Sequence, residues 1–254
     1  MPDHQGAWPL ALAVILAATG YLAAARAHRW PRRREVAFTA GALVVVVALL
    51  VPVRTATAHM AQHVAVGMAG PLLLVLGRPV TLALRRPRGR HALLRVLRSW
   101  PATVLVFPPV AALLDVGGLW LLYRTPLVTR VHEPWVQVHV LAAGALFAAA
   151  ICQVEPVRHR YGLALRAATL VAAGAAHGVL AKTLYASDPA LQPGAVVMYY
   201  GGDVVDIALA GVICLQWYRR QSRSRARASA VDTPVTSARP APRTPEASTV
   251  VQSK

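Results

Sequence analysis

Seven runs of mostly apolar residues, parted by arginine clusters and short polar turns, leave this chain few ways to fold. Each approaches the roughly 20 apolar residues that carry a helix across a bilayer. They lie near Trp8–Ala25, Val36–Val53, His59–Leu84, Trp100–Leu122, Pro134–Val154, Leu163–Tyr185 and Met198–Tyr218. Inside hydrocarbon a backbone must satisfy its own hydrogen bonds, so such runs fold as helices. The pattern predicts an all-α, polytopic membrane helix bundle of about seven transmembrane helices.

The arginines give an orientation. Arg26, Arg29, Arg32, Arg33 and Arg34 fill the first loop, and Arg85, Arg86, Arg88, Arg90, Arg95 and Arg98 the third. Arg158, Arg160 and Arg166 mark the fifth, and Arg219, Arg220, Arg223, Arg225 and Arg227 follow the last run, whereas the alternate loops hold only Arg54, Arg124 and Arg130. Positive loops stay in the cytoplasm, which places the N-terminus outside and the C-terminus inside, as an odd number of spans requires. The net charge of +17 is thus spent on topology, and no nucleic-acid partner is expected. The N-terminus lacks the positive region of a signal peptide, so the first run counts as a span. Cys152 and Cys214 fall near cytoplasmic helix ends, where a disulfide is not expected to persist.

Residues 1–218 read as the transmembrane domain. Residues 219–254 read as a basic, Pro-, Ser- and Thr-rich cytoplasmic tail, too poor in apolar residues to fold. Pro71 and Pro108-Pro109 are expected to kink their helices, and Gly174 with Gly178 to let a neighbouring helix approach closely. The stretch from Arg85 to Ser99 carries Leu93, Leu94 and Leu97 on one face, with Arg90, Arg95 and Arg98 around it. It could form an amphipathic helix on the inner leaflet; the plainer expectation is a topology-setting loop.

Ionisable groups inside a membrane are costly and mark function by default. His59, His63, Asp115, His139, His177, Asp203 and Asp206 all map to the outer half of the bilayer. His59 and His63 are four apart, on one helix face. Imidazoles there suit a metal ion, and the thioethers of nearby Met60 and Met68 suit Cu(I); the pair also fits two interfacial histidines bonded to water. His139 and His177 match the depth of His63, with His132 at the outer mouth of the fifth run. Asp203 fits a carboxylate at the N-terminus of the seventh helix. Asp206, one turn deeper, fits a metal ligand or an acceptor that orients a histidine, and Asp115 has the same standing. Lys182 either snorkels to the interface or neutralises Asp115 or Asp206. The metal set predicted from these residues is His59, His63, His139, His177 and Asp206, with Met60, His132, Asp115, Asp203 and Lys182 in support. No phosphate-binding glycine loop, nucleophile–base pair or zinc-protease motif is present, so neither catalysis nor a nucleotide or flavin is expected.

Particular motifs carry a family likeness. His59-Met60-Ala61-Gln62-His63, followed by the run from Gly70-Pro71-Leu72-Leu73 through Gly77-Arg78-Pro79 to Leu82, resembles the CtaG family of cytochrome c oxidase assembly factors. So do Tyr123-Arg124-Thr125-Pro126-Leu127, the run from His139 to Phe147, and Met198 to Asp203 with Leu209-Ala210 and Gln216-Trp217-Tyr218. The resemblance covers about Trp30 to Tyr218. It implies a seven-span protein of the bacterial plasma membrane that works with cytochrome c oxidase subunits in the bilayer and delivers or holds copper. It also implies that His59, His63 and His139 match the family's histidines, and Asp203 its Gly-Gly-Asp position. A copper or proton transporter is a second reading. It requires polar groups in the cytoplasmic half of the bundle, where the sequence offers almost none beyond Cys152 and Cys214. A membrane haem protein with paired axial histidines is a third.

Overall fold

The computed structural model describes residues 7–87, 89–127 and 133–231, and every regular element among them is helical. The chain divides into two units, Met1–Gln216 and Trp217–Lys254. In order, the helices are α1 (Trp8–Ala27), α2 (Arg32–Leu50), α3 (Ala56–His63), α4 (Gly70–Leu76), α5 (Pro79–Ala83), α6 (Arg90–Leu97), α7 (Trp100–Leu105), α8 (Pro108–Ala112), α9 (Gly118–Arg124), α10 (Pro134–Cys152), α11 (Leu163–Ser187) and α12 (Gln192–Val231). Two π-helical segments join neighbours into longer rods: Val64–Ala69 between α3 and α4, and Leu113–Gly117 between α8 and α9.

Five helices are long and apolar enough to cross a membrane: Trp8–Ala27, Ala56–Leu76, Pro134–Cys152, Leu163–Ser187 and Pro189–Ser222. The other two apolar runs fold differently from that simple pattern. The second becomes α2, which opens on three arginines and a glutamate. The fourth is broken, not kinked: Phe107 is extended at φ −67°, ψ 121° between α7 and α8. Proline disfavours a helical conformation in the residue before it, and here Pro108 starts a new helix. Pro71, by contrast, lies inside a continuous rod that widens into π geometry just ahead of it. The third span ends earlier than Leu84, at Gly77 and left-handed Arg78 (φ 57°). Residues 219–231, expected to be too poor in apolar residues to fold, are helical, because α12 continues to Val231. Arginine and alanine favour helix, and no Gly or Pro interrupts the stretch from 219 to 231.

Within residues 1–216, α10 packs against α4 and the first π segment, while α2 packs against α1 and α4. Leu72, Val75, Ala111, Phe147, Ile151, Leu170, Val205 and Leu209 share one core. Around the C-terminus of α10 this unit holds more buried polar groups than the sequence suggested, namely Gln153, Glu155 and Arg166. Arg166 donates to the Ile151 carbonyl (2.8 Å) and to Gln216 Oε1 (3.0 Å), and Gln216 Nε2 donates to the Cys152 carbonyl (2.6 Å). These side chains cap the C-terminus of α10, whose last carbonyls carry the negative end of the helix dipole.

Glu155 does the converse for α5. Its carboxylate accepts the Val80 and Thr81 amide N–H groups, each at 2.9 Å, and the Thr81 hydroxyl. Burial pushes this carboxyl above its ordinary value, while the bonds from Thr81 and Val80 pull it down. Glu155→Ala is expected to strand both amides at a cost of about 1–3 kcal/mol. Hydrogen exchange at Val80 and Thr81 should accelerate selectively; unchanged protection there would show that the cap contributes nothing.

Candidate metal centre

Thr55 starts α3 by accepting the Ala58 N–H on its hydroxyl (3.1 Å), which sets the phase of the helix carrying His59 and His63. His59 is half-buried and shares a 2.8 Å hydrogen bond, through Nε2, with the Tyr123 hydroxyl. That hydroxyl also lies 3.7 Å from Met60 Sδ. Met68 is not part of this group; it packs against the inner core of Leu72 and Phe147.

His63 faces a different partner. It is 7 % exposed and His177 is 4 % exposed, with their ring centroids 6.0 Å apart. Nε2 of each ring is buried without a hydrogen-bond partner. Glycines make room for both rings. A Cβ on Gly202 would sit 2.5 Å from His177 Cε1, and one on Gly67 would sit 3.3 Å from His63 Cε1. The Trp120 indole donates to the Ala176 carbonyl (3.2 Å) and fixes α11 beside His177.

Asp115 lies in the second π segment. It shares an apolar-walled cavity of about 180 Å³ with His139, bounded by Leu119, Leu122, Trp135 and Val136. His139 is exposed and rests over Gly118, where a Cβ would come 2.9 Å from its Nε2. Asp206 rests over Gly174, where a Cβ would come 2.6 Å from Oδ2. Asp203 is exposed.

Helix α12 begins at Gln192, so Asp203 and Asp206 lie well inside it, beyond the first turn where the dipole and capping act. The capping reading of Asp203 therefore fails. Lys182 is exposed and holds its ammonium 5.3 Å from the Tyr199 ring centroid. His132 lies outside the described residues.

The predicted ligands are thus distributed: His59 with Tyr123 and Met60, His63 with His177, Asp115 with His139, and Asp206 against Gly174. Among the described residues, no three His, Cys, Asp or Glu side chains come together in a group that could hold a metal ion. The pair His63–His177 offers two buried ring nitrogens with nothing bonded to them. Both π segments touch these groups, since one begins directly after His63 and the other contains Asp115. Such insertions are frequent at functional sites.

Tyr123, Gly67, Gly118 and Gly202 are not among the site residues expected from the sequence. Tyr123 and Gly202 had a weak signal, as parts of motifs shared with the CtaG family. Nothing in linear spacing links Gly202 to His177.

The family described as cytochrome c oxidase caa3 assembly factor (Caa3_CtaG) matches residues 13–220. The chain belongs to this family. The match takes in both π segments and every paired residue above. An uncharacterized protein of Mycobacterium bovis is 36% identical over 170 residues, or 59% of this chain and 26% of its own length. One from Mycobacterium tuberculosis gives the same values. One from Mycobacterium leprae is 34% identical over 157 residues, or 54% of this chain and 24% of its own length. The Caa3_CtaG chain thus spans about a quarter of the length of the curated relatives it matches. No solved structure matches it.

Proposed function

We propose that this protein is a bacterial plasma-membrane assembly factor for a haem–copper cytochrome c oxidase. In this reading it takes Cu(I) as cargo between His63 and His177, on the arginine-poor side of the bundle, and passes the ion to oxidase subunits. Family membership supports the assembly role. The single observation that carries the copper reading is the His63–His177 pair, buried, unpartnered at Nε2 and with ring centroids 6.0 Å apart. Imidazole is a copper ligand, and two metal–nitrogen bonds of about 2 Å each fit between rings at that separation. Two ligands leave an ion open to a third donor, which suits cargo that must be handed on. His59, with its thioether neighbour Met60, stands one turn nearer the outer end of the same rod. Transport through the bundle has less support, because Arg166, Gln216 and Glu155 at the inner end are engaged with helix termini.

The test is copper content of the purified full chain under reducing conditions. Wild type is expected to hold stoichiometric Cu(I). His63→Leu and His177→Leu should each lose it while keeping helicity and melting behaviour, and His139→Leu should retain it. A folded wild type that takes up no Cu(I) would overturn the copper reading. A strain lacking the protein that still assembles copper-replete oxidase would overturn the assembly reading.

A further inference from the structure

The stretch between Arg85 and Ser99 is not an irregular loop. Residues 90–97 form α6, started by left-handed Gly89 (φ 85°), and none of its side chains is buried. Val96 is 61 % exposed and Trp100, at the start of α7, is 74 % exposed. Leu93, Leu94 and Leu97 are half-buried, and Arg90, Arg95 and Arg98 are exposed around them. The helix is nevertheless held in place. Arg158 Nη1 donates to the Arg98 carbonyl at the C-terminus of α6 (2.9 Å), and Ser99 caps α7 by accepting the Ala102 N–H (3.4 Å). Val96 and Trp100 are thus apolar groups held in position and left exposed beside a partly covered leucine edge. The surrounding charge is of one sign: between residues 78 and 114 there are seven arginines and no Asp or Glu.

We propose that α6 and Trp100 form a lipid-docking surface that lies in the leaflet on the arginine-rich side and binds anionic phospholipid headgroups through Arg90, Arg95 and Arg98. A basic amphipathic helix with Trp beside it lies in the interface plane, its apolar edge in the acyl boundary and its cations among the headgroups. The charge complementarity singles out anionic lipid: neutral headgroups offer the three guanidinium groups no net attraction, whereas each cation near an anionic surface gains binding. Docking would hold the short connection between α5 and α7 against the bilayer, and with it the broken fourth run. This inference does not depend on the copper reading.

Two measurements on the full chain in bilayer nanodiscs test it. A nitroxide on Val96→Cys, in a Cys214→Ser background, should be relaxed by oxygen dissolved in lipid more than by an aqueous nickel chelate. A label on His91→Cys should show the reverse. Spin-labelled phosphatidylglycerol should associate with the wild type more tightly than spin-labelled phosphatidylcholine. The variant Arg90→Gln/Arg95→Gln/Arg98→Gln should reduce that preference by about fivefold or more, the weight of a single cation at an anionic surface. High salt should shrink the difference between the two proteins. The three arginines are exposed, so the variant should melt like wild type. A water-exposed label at position 96, or an undiminished lipid preference in the triple variant, would overturn the proposal. The second result would point to an acidic protein partner for α6.

Discussion

Arg166→Ala is expected to be among the most destabilising single substitutions in the bundle. Arg166 is 1 % exposed, near the start of α11, and its guanidinium ties the Ile151 carbonyl of α10 to Gln216 of α12. Truncation strands the buried Ile151 carbonyl, at about 1–3 kcal/mol, and leaves the part-buried Gln216 Oε1 without its donor. It also empties the space of a long side chain, which adds a cavity cost. Together these are a large fraction of the roughly 5–15 kcal/mol that holds a typical domain folded. Arg166→Lys should fall between alanine and wild type: both bonds leave one nitrogen, Nη1, and an ammonium on a different stem keeps the charge and the donors without the guanidinium's fixed geometry. Gln216→Ala should also be costly, since Gln216 both receives from Arg166 and donates to the Cys152 carbonyl. Thermal melts of the three variants in one detergent would check the ranking. Melting of Arg166→Ala at the wild-type temperature would refute the capping role.

Arg166 also shows where reading the sequence stops. In the linear chain it is one more arginine at the cytoplasmic edge of an apolar run, and the rule that sorts arginines by side assigns it no partner. Its function depends on Ile151 and Gln216, which are 15 and 50 residues away. The helical class was legible because lipid leaves the backbone no other choice.

Pairing was not legible, since depth says nothing about which helices are neighbours or which faces they turn to each other. His59 and His63, four residues apart on one helix, look like joint ligands, yet they engage Tyr123 and His177 respectively. The first π segment begins only after His63, so it changes the phase of the rod beyond the pair and not the angle between the two rings. A uniform 3.6-residue period cannot foresee that insertion. Gly174 and Gly178 were expected to let a neighbouring helix approach closely, and α12 does so through side chains, the Asp206 carboxylate and the Tyr199 ring. The same device recurs at Gly67, Gly118 and Gly202, so each polar group occupies volume that a missing Cβ leaves on a neighbouring turn or helix.

Gly144→Ala should be costly for a related reason that involves backbone. A Cβ at position 144 on α10 would run into the carbonyl oxygen of Gly67 in the first π segment. That carbonyl is the one an α-helical residue 71 would bond, and Pro71 has no N–H to offer it. Pro71 and Gly144 therefore act together: the proline removes the donor, and the glycine lets α10 close on the carbonyl side of the rod. An added methyl group cannot be absorbed by a rotamer change, because the obstacle is main chain. The cost should reach or exceed the upper end of the roughly 1–3 kcal/mol typical of overpacking. The displaced π segment follows directly on His63 and includes Gly67, over which the His63 ring lies, so Cu(I) uptake should fall with stability. Gly20→Ala is the matched control. Gly20 is in α1, and a Cβ there meets nothing within 4 Å. Its replacement should be neutral or should stabilise the helix by up to about 1 kcal/mol. Thermal melts of the two variants should move in opposite directions. If Gly144→Ala melts with Gly20→Ala, then α10 and the π segment are not in the close contact that seats the histidine pair.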